Sequence, residues 1–285
     1  MNVSFAKMEG LGNDFIIMDD RAGKIRRETC LSRLAVRLCN RHFGIGADGI
    51  ILAGESRDDD MEFIIFNSDG SQPQMCGNGM RCFAKYFYEN KVFTDPRIRV
   101  ATKAGTIVPE VITDKQGQVA SVKVDMGPPV LVPEHIPFVP KKNCEIAAEQ
   151  KIDLGTGQVI ATMVSMGNPH AVIFVEDLSA VDVEKTGRAV ETHAQFPEKT
   201  NVEFIQKVND QELIMRVWER GAGITLACGT GACASLVAAH LTKRTGRQAL
   251  IHLDGGDLEI YWDRKTNHVH KTGPASMVFE GRVTI

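Results

Sequence analysis

The sequence predicts an α/β protein of the mixed α+β type, built from two similar domains. Its 285 residues are enough for roughly two domains of about 150 residues each. Short runs rich in β-branched and aromatic residues alternate with a few amphipathic stretches of helical spacing. A Cys-Gly-Xaa-Gly sequence also occurs once in each half of the chain. These three features predict two copies of one mixed domain, each carrying a glycine-rich turn.

The residue pattern predicts the secondary structure of four segments. Residues 63–66 and 171–175 are continuous apolar runs of strand length. Residues 31–38 and 179–190 have the apolar spacing of amphipathic helices. A proline-rich zone lies near the middle of the chain. Because proline interrupts both helices and sheets, we expect a hinge there and place the end of the first domain at residue 128.

Three short segments of the first half recur in the second half at almost the same distance. Phe66 and Trp218 each lie ten residues before a Cys-Gly-Xaa-Gly turn. These two residues and the two turns therefore recur at the same distance of 152 residues (218 − 66 and 228 − 76). The Gly-Asn pair at 12–13 recurs at 167–168, after 155 residues. A period this long indicates two whole domains rather than a solenoid. A chance likeness of two turns is the weaker explanation. We therefore expect equivalent loops to face each other across a shared cleft.

Composition excludes several classes of protein. Lys and Arg number 33 and Asp and Glu 36, which gives a net charge of −3, and no run of five like charges occurs. This balance argues against a nucleic-acid or membrane-surface partner and favours a small molecule. The apolar stretch 226–241 is interrupted by a Gly-Thr-Gly sequence, and the first residues lack the apolar core of a signal peptide. We expect a cytoplasmic protein. Seven cysteines without a CxxC pair predict reduced thiols rather than disulfides or a zinc ribbon.

The two Cys-Gly-Xaa-Gly turns are each expected to lead into a helix, with Cys76 and Cys228 at the helix N-termini. Unpaired amides and the positive end of the helix dipole favour an anion there, so each thiol is expected to lose its proton more readily than a free cysteine. The same amides are suited to a substrate carboxylate. The other cysteines are interpreted as small buried apolar residues; they are Cys30, Cys39, Cys82, Cys144 and Cys233.

Two acid/base thiols on opposite walls of a cleft suit the inversion of a carbon that bears a hydrogen. One thiolate removes the proton from one face, and the opposing thiol delivers a proton to the other. One cysteine must therefore be ionised while the other is protonated, and their titrations are coupled. The carbanion needs stabilisation by amide dipoles and by exclusion of water.

An ordered series of motifs over nearly the whole chain resembles the diaminopimelate epimerases of bacterial and plant lysine biosynthesis. The motifs are Met8-Glu9-Gly10-Leu11-Gly12-Asn13-Asp14-Phe15, Gly44-Ile45-Gly46-Ala47-Asp48-Gly49, Phe66-Asn67-Ser68-Asp69-Gly70, Cys76-Gly77-Asn78-Gly79-Met80-Arg81-Cys82, Met166-Gly167-Asn168-Pro169-His170, Asn201-Val202-Glu203-Phe204, Glu219-Arg220-Gly221-Ala222-Gly223 and Cys228-Gly229-Thr230-Gly231.

The resemblance implies a pseudo-twofold pair of domains, each a curved mixed sheet around a central helix, with the last strand returning to the first domain. On that basis the N-terminal domain comprises residues 1–128 and 275–285, and the C-terminal domain comprises 129–274. The implied activity is the interconversion of LL- and meso-diaminopimelate without pyridoxal phosphate or metal. This activity supplies lysine and a peptidoglycan precursor. A homodimer is a further expectation.

The resemblance also implies roles for individual residues. Cys76 and Cys228 match the two catalytic cysteines, and His170 and Glu219 match positions that tune the pKa of these thiols. The residues expected to bind substrate are Asn13, Asn67, Gly77, Asn78, Asn168, Asn201, Glu219, Arg220, Gly229 and Thr230. Carboxylate and amide oxygens would accept from the substrate's ammonium groups, and the arginine fork would hold a carboxylate.

Two positions depart from the resemblance, and two alternative functions stay open. Gly49 stands where some relatives have a glutamine, and Ile224 stands where a glutamate is common. One alternative is a proline- or histidine-type racemase, which the distal polar residues Asn67, Asn201 and Arg220 disfavour. The other is a thiol redox or metal-binding protein, which is disfavoured because no neighbouring His or Cys completes a zinc spacing.

Overall fold

The computed structural model describes all 285 residues and divides them into two compact units. Unit 1 comprises Met1–Asp125 and Thr272–Ile285, and unit 2 comprises Met126–Lys271. Each unit combines a sheet that has both parallel and antiparallel neighbours with one long buried helix. The predicted mixed α+β architecture is therefore confirmed. None of the helices combines the length and apolar composition that a membrane span requires.

Eighteen strands and five α-helices make up the chain. The strands are β1 (Asn2–Gly10), β2 (Asn13–Asp19), β3 (Gly49–Gly54), β4 (Met61–Asn67), β5 (Val100–Thr102), β6 (Gly105–Ile107), β7 (Glu110–Thr113), β8 (Val119–Asp125), β9 (Gln150–Asp153), β10 (Gln158–Ser165), β11 (Pro169–Val175), β12 (Asn201–Lys207), β13 (Glu212–Glu219), β14 (Gly223–Ile224), β15 (Gln248–Leu253), β16 (Gly256–Trp262), β17 (Val269–Gly273) and β18 (Ser276–Thr284). The α-helices are α1 (Lys24–Glu28), α2 (Leu31–Cys39), α3 (Gly77–Glu89), α4 (Val183–Glu191) and α5 (Gly229–Leu241). Two short 3₁₀ turns cover Pro133–His135 and Leu178–Ala180.

Unit 1 contains a seven-stranded sheet with helices on both faces. The strand order is β18-β1-β2-β3-β4-β5-β6, with β2–β3 and β4–β5 parallel and the other neighbours antiparallel. All of β3 is buried, because successive side chains point to opposite faces that are both covered. Ile50 and Leu52 join the apolar cluster beneath α2, whereas Ile51 lies against Gly79 of α3. Helix α3 also packs against the β7–β8 hairpin.

Unit 2 contains a longer sheet with the same alternation of faces. Its strand order is β17-β16-β15-β13-β12-β11-β10-β9, and β14 pairs with β13. The β11–β12 and β13–β15 neighbours are parallel. Val202 and Phe204 of β12 join the apolar cluster beneath α4, whereas Glu203 between them lies against Gly231 of α5. The central strand therefore carries a helix on each face, as β3 does in unit 1.

The order of elements repeats between the units. In unit 1 the series is β1, β2, α2, β3, β4, α3, and in unit 2 it is β10, β11, α4, β12, β13, α5. Helices α2 and α4 begin 152 positions apart (183 − 31), and α3 and α5 do the same (229 − 77). In both series the first and second strands pair antiparallel, and the second and third pair parallel. The repeat seen in the sequence is thus a repeat of tertiary elements.

Three of the four predicted segments are confirmed and one is corrected. Residues 63–66 lie in β4, 171–175 lie in β11, and the predicted helix at 31–38 is α2. The segment predicted as a helix over 179–190 is a 3₁₀ turn followed by α4, which begins at Val183. The reason is local capping, because the Asp182 carboxylate accepts a hydrogen bond from the Lys185 N–H and starts the helix there.

A glycine in α4 allows this helix to approach β13. A Cβ built at Gly187 would lie 2.5 Å from the Cβ and 2.6 Å from the Cγ of Trp218. We predict that Gly187→Ala lowers the free energy of unfolding by up to about 2 kcal/mol, because an overpacking cost of about 1–3 kcal/mol is reduced by a helix-propensity gain of roughly 1 kcal/mol. Urea unfolding measures the change. Gly246→Ala is the control, because nothing lies within 4 Å of its added Cβ. An alanine at position 187 that stabilises the protein would contradict the close approach.

Candidate active site

Cys76 is the N-cap residue of α3 in unit 1. Its extended backbone turns the chain into the helix, and its Sγ accepts the Gly79 N–H at 3.4 Å. The side chain is half-buried. A Cβ at Gly79 would lie 2.8 Å from Cδ1 of Ile51 in β3, so a larger residue at this position would require the Ile51 side chain to shift. The predicted placement of this cysteine at a helix N-terminus is confirmed.

The polar side chain of Asn13 lies beside Cys76. Its Oδ1 lies 3.9 Å from Cys76 Sγ and accepts a hydrogen bond from Asn78 Nδ2 at 3.2 Å. Its Nδ2 donates to Asp48 Oδ2 at 2.8 Å, which fixes the orientation of the amide. Unit 1 therefore brings three predicted site residues, Asn13, Cys76 and Asn78, into one hydrogen-bonded group. Asp48 belongs to this group although the sequence analysis did not single it out.

A network of charges holds the turn that carries Asn13. Asp14 pairs with Lys7 at 2.7 Å and with Arg41 at 2.9 Å, and the same arginine pairs with Asp48 at 2.9 Å. Burial favours protonation of Asp14, but hydrogen bonds from Arg41 and Lys7 outweigh this effect and lower its pKa to about 2.

Asn67 and Gly77 are the two remaining predicted site residues of unit 1. Asn67 ends β4 and donates through Nδ2 to Ser71 Oγ at 2.9 Å. Gly77 is the first residue of α3 and is buried. Its amide is one of the first four of the helix, which lack a partner within the helix.

Cys228 is the N-cap residue of α5 in unit 2 and repeats the arrangement of Cys76. Its Sγ accepts the Gly231 N–H at 3.4 Å and lies 3.5 Å from Thr230 Oγ1. Gly229 is the first residue of the helix. Unlike the half-buried Cys76, this side chain is buried, with 5% of its surface exposed.

A buried histidine and a buried glutamate lie beside Cys228. His170 Nδ1 is bonded to Glu203 Oε1 at 2.7 Å, and His170 Nε2 faces Asn168 Oδ1 at 3.0 Å. Both members of the pair are fully buried. One side-chain atom from each of His170, Glu203 and Cys228 lies within 4.8 Å of the others, so the three side chains form one compact buried cluster. The sequence spacing concealed this group, because its members come from β11, β12 and the start of α5.

The environment of Cys228 reverses one expectation. A position at a helix N-terminus predicts a lowered pKa for both thiols. Burial, followed by the negative charges of Glu219 and Glu203, instead raises the pKa of Cys228 well above its ordinary value, and the hydrogen bonds from Thr230 and Gly231 only partly oppose this. The expectation is therefore wrong for Cys228.

Glu219, at the end of β13, is the second carboxylate near Cys228. Burial raises its pKa, and a hydrogen bond from Thr225 Oγ1 opposes the rise. The end of this strand also carries Arg220, whose backbone N–H donates to Asn201 Oδ1 at 2.9 Å. Asn201 Nδ2 donates to the carbonyl of Pro169 at 2.8 Å, so both of its amide atoms position backbone. The exposed Arg220 side chain donates to the Glu198 carbonyl at 3.0 Å.

The remaining cysteines divide into two groups. All seven thiols are free. Cys39, Cys82 and Cys233 are buried, as predicted. Cys30 is exposed and Cys144 is half-buried, so the prediction of a buried position is wrong for both. Cys30 is the N-cap residue of α2, and its side chain is exposed at that helix start.

Comparison with known proteins identifies the family. A family model described as diaminopimelate epimerase matches residues 5–132 and 162–278. The chain belongs to the diaminopimelate epimerase family. The family's members are isomerases, and this chain is one. A diaminopimelate epimerase of Desulforapulum autotrophicum is 56% identical over 285 residues and covers 100% of both chains. Another, from Heliobacterium modesticaldum, is 48% identical over 283 residues, which is 99% of this chain and 100% of the relative.

Solved structures of other proteins share the fold of this epimerase-family chain. A phenazine biosynthesis protein of the PhzF family from Bacillus anthracis has a TM-score of 0.72 at 14% identity, over 100% of both chains. A probable proline racemase from Agrobacterium radiobacter has a TM-score of 0.70 at 16% identity, over 99% of this chain and 93% of the other. At these identities the likeness concerns the fold.

The charge network around Asn13 predicts a pH dependence of stability. The folded-state pKa of Asp14 lies below the ordinary aspartate value of about 3.9, so its contribution is complete above that value and is lost as pH falls towards 2. We predict that Asp14→Asn is less stable than the wild type at pH 7 and that its stability falls less steeply below about pH 5. Urea unfolding at a series of pH values measures both. Asp58→Asn, at an exposed position, should keep the wild-type slope. Parallel slopes for Asp14→Asn and wild type would contradict the lowered pKa.

Proposed function

We propose that this isomerase interconverts LL-diaminopimelate and meso-diaminopimelate without a cofactor. The observation that carries the proposal is the pair of cysteines at matching helix starts, Cys76 of α3 and Cys228 of α5, in a chain of the diaminopimelate epimerase family. A duplicated scaffold that carries one thiol per copy suits a reaction in which the two sides of one carbon are treated alike. Each cysteine acts on one face of the substrate's α-carbon.

The reaction proceeds by two proton transfers. In one direction the thiolate of one cysteine removes the α-proton and becomes a thiol, while the electron pair of the broken C–H bond stays on the α-carbon. The thiol of the other cysteine delivers its proton to the opposite face and becomes a thiolate. The reverse direction exchanges the roles of the two sulfurs. The working enzyme therefore holds one ionised and one protonated cysteine, and the two titrate as a pair.

Backbone amides at the two helix starts stabilise the substrate. We assign the carboxylate of the reacting centre to the amides of Gly77 and Asn78 in α3 and of Gly229 and Thr230 in α5. These belong to the first turns, whose N–H groups have no partner within the helix. Hydrogen bonds to the carboxylate delocalise the carbanion's charge, and they are strongest where water is excluded.

Polar side chains recognise the remaining groups of diaminopimelate. The substrate carries two ammonium and two carboxylate groups, so it needs both acceptors and donors. We assign this recognition to Asn13, Asn67, Asn168, Asn201, Glu219 and Arg220. Glu219 and His170 also tune the pKa of Cys228, which fits the contacts of Glu219 with the thiol region. A cytoplasmic location, a homodimer and a place in the supply of lysine and of a peptidoglycan precursor complete the proposal.

A racemase for proline or a related amino acid is the second candidate. It rests on the shared fold, since a probable proline racemase and a hydroxyproline epimerase of Agrobacterium vitis are structural neighbours at 16% and 15% identity. Relatives at 48–56% identity that cover nearly the whole chain favour diaminopimelate. A purified enzyme that racemises proline and leaves diaminopimelate unchanged would reverse this order.

Substitution of either thiol tests the mechanism. We predict that Cys76→Ser and Cys228→Ser each slow epimerisation by about 10²–10⁴-fold, the usual contribution of a positioned acid or base. The measurement is deuterium incorporation at the α-carbon of diaminopimelate in deuterated water, with reductant and without added cofactor. The matched control is Cys30→Ser, because Cys30 is exposed and lies outside the proposed site.

The outcomes separate the proposed function from its alternatives. Wild-type enzyme should incorporate deuterium and convert one stereoisomer into the other. Full activity in either serine variant would remove that cysteine from the mechanism. Loss of a bound metal, rather than loss of proton exchange, on substitution of Cys228 would favour a metal-binding protein.

A further inference from the structure

Positions that the internal repeat relates to each other, one near each cysteine, have different kinds of side chain in the two units. The 152-residue repeat relates Ile51 to Glu203 (203 − 51) and Asn67 to Glu219 (219 − 67). The 155-residue repeat of the preceding turn relates Phe15 to His170. The strand registers agree, since Phe15 pairs with Gly49 between β2 and β3, and His170 pairs with Asn201 between β11 and β12. All three positions are ionisable in unit 2, and none is ionisable in unit 1.

Glu203 occupies a position that the fold fills with an apolar side chain in the other unit. Ile51 lies against Gly79 at the start of α3, and Glu203 lies against Gly231 at the start of α5. A Cβ at Gly231 would be 2.5 Å from Glu203 Oε1 and 3.2 Å from Cys228 Sγ. The carboxylate therefore sits against the same helix turn that holds the sulfur. An aliphatic residue satisfies this packing in unit 1, so packing alone does not require a carboxylate.

The burial of Glu203 carries an energetic cost. The residue is fully buried, and its Oε2 has no hydrogen-bond partner. Leaving a buried acceptor unpaired costs roughly 1–3 kcal/mol, more for charged groups. An apolar pair of similar volume often replaces a buried ion pair without loss of stability. A stability role therefore explains the His170–Glu203 pair poorly, and a role in the chemistry of Cys228 explains it better.

We propose that Glu203 is a positioning residue that holds His170 and keeps the sulfur of Cys228 protonated in the ligand-free enzyme. The proposal rests on the two-thiol function proposed above and assigns the resting proton of the pair to Cys228. The charged or titratable groups facing this sulfur are Glu219 from β13, Glu203 from β12 and His170 from β11. The negative charges of the two glutamates disfavour a thiolate, whereas the amide dipoles of α5 favour one. Glu203 acts through the charge it places beside the helix start and does not touch substrate.

Alkylation of Cys228 measures this effect without any assay of epimerase activity. Ligand-free protein is treated with iodoacetamide in EDTA at a series of pH values, and peptide mass spectrometry gives the alkylation rate of each cysteine at each pH. The midpoint of a cysteine is the pH at which its alkylation rate reaches half of the maximum. Glu203→Gln removes the charge at nearly constant shape. We expect it to lower the Cys228 midpoint by about one pH unit, which is roughly a tenfold increase in thiolate below the midpoint. Glu203→Asp keeps the charge and should stay close to the wild type.

Two controls separate charge from structure. Glu191→Gln removes another buried carboxylate of unit 2, one that accepts from Trp218 Nε1 and the Gly221 N–H, and should leave the Cys228 midpoint unchanged. The alkylation midpoint of the exposed Cys30 in the same samples should be the same in every variant. An unchanged or raised Cys228 midpoint in Glu203→Gln would overturn the proposal.

A double variant keeps the test decisive if Glu203→Gln does not fold. His170→Phe with Glu203→Ile installs in unit 2 the residues of the corresponding positions in unit 1. We expect it to unfold at a urea concentration no lower than that of the wild type, with a lowered Cys228 midpoint. A folded double variant with the wild-type midpoint would also overturn the proposal.

The epimerase reaction supplies an independent readout. If Cys228 donates the proton, the basic limb of the pH profile of kcat/KM should shift in Glu203→Gln by the same amount as the alkylation midpoint. A shift in alkylation with no matching shift in this limb would overturn the assignment of the donor. If wild-type enzyme exchanges no deuterium into diaminopimelate, the proposed function fails, and the alkylation midpoints still decide whether Glu203 controls the protonation of Cys228.

Discussion

A thiol that caps a helix is the constraint on which both units depend. Cys76 and Cys228 each have an extended backbone, and the sulfur of each accepts a hydrogen bond from a backbone N–H of the first helical turn. The helix begins at the next residue. The third residue of each helix, Gly79 or Gly231, is a glycine against which a side chain of the sheet packs closely. The sheets therefore form around the helix starts, and the unpaired amides of the first turns stay available to an anion.

The duplication explains why the two cysteines have the same backbone arrangement. The neighbouring side chains explain why the environments of the two thiols differ. The strands and helices around Cys76 and Cys228 repeat in the same order and register. In unit 1, the side-chain amide of Asn13, held by Asp48, lies beside the sulfur. In unit 2, a buried histidine–glutamate pair takes positions that phenylalanine and isoleucine hold in the first copy. The scaffold supplies the helix dipole twice, but burial and charge reverse its effect on Cys228.

Sequence reasoning succeeded where the signal was local. A Cys-Gly-Xaa-Gly turn before an amphipathic run predicts a capped helix because the cap, the glycines and the helix are contiguous. The same holds for α2 and for the strands at 63–66 and 171–175. Helix α4 begins later than predicted because one side chain, Asp182, decides its start.

Non-local effects could not be predicted in this way. His170 and Glu203 are 33 positions apart and meet only because β11 and β12 are parallel neighbours. The raised pKa of Cys228 depends on burial by residues from several strands. A signal for Glu203 was nevertheless available, since the internal repeat matches this carboxylate with an isoleucine inside an otherwise apolar strand.

Unequal thiols change how a two-base isomerase distributes its resting states without changing the equilibrium it catalyses. If one proton were shared by two identical cysteines, the two singly protonated forms would be equally populated, and each stereoisomer would find half of the enzyme ready for it. The charges proposed to hold the proton on Cys228 enrich the free form in which the other sulfur is the thiolate. The Haldane relation fixes the ratio of the kcat/KM values of the two stereoisomers at the equilibrium constant, so this enrichment cannot change that ratio. Under the two-thiol proposal, the buried charges of unit 2 therefore act on the resting populations of the two free forms and not on the direction of the reaction.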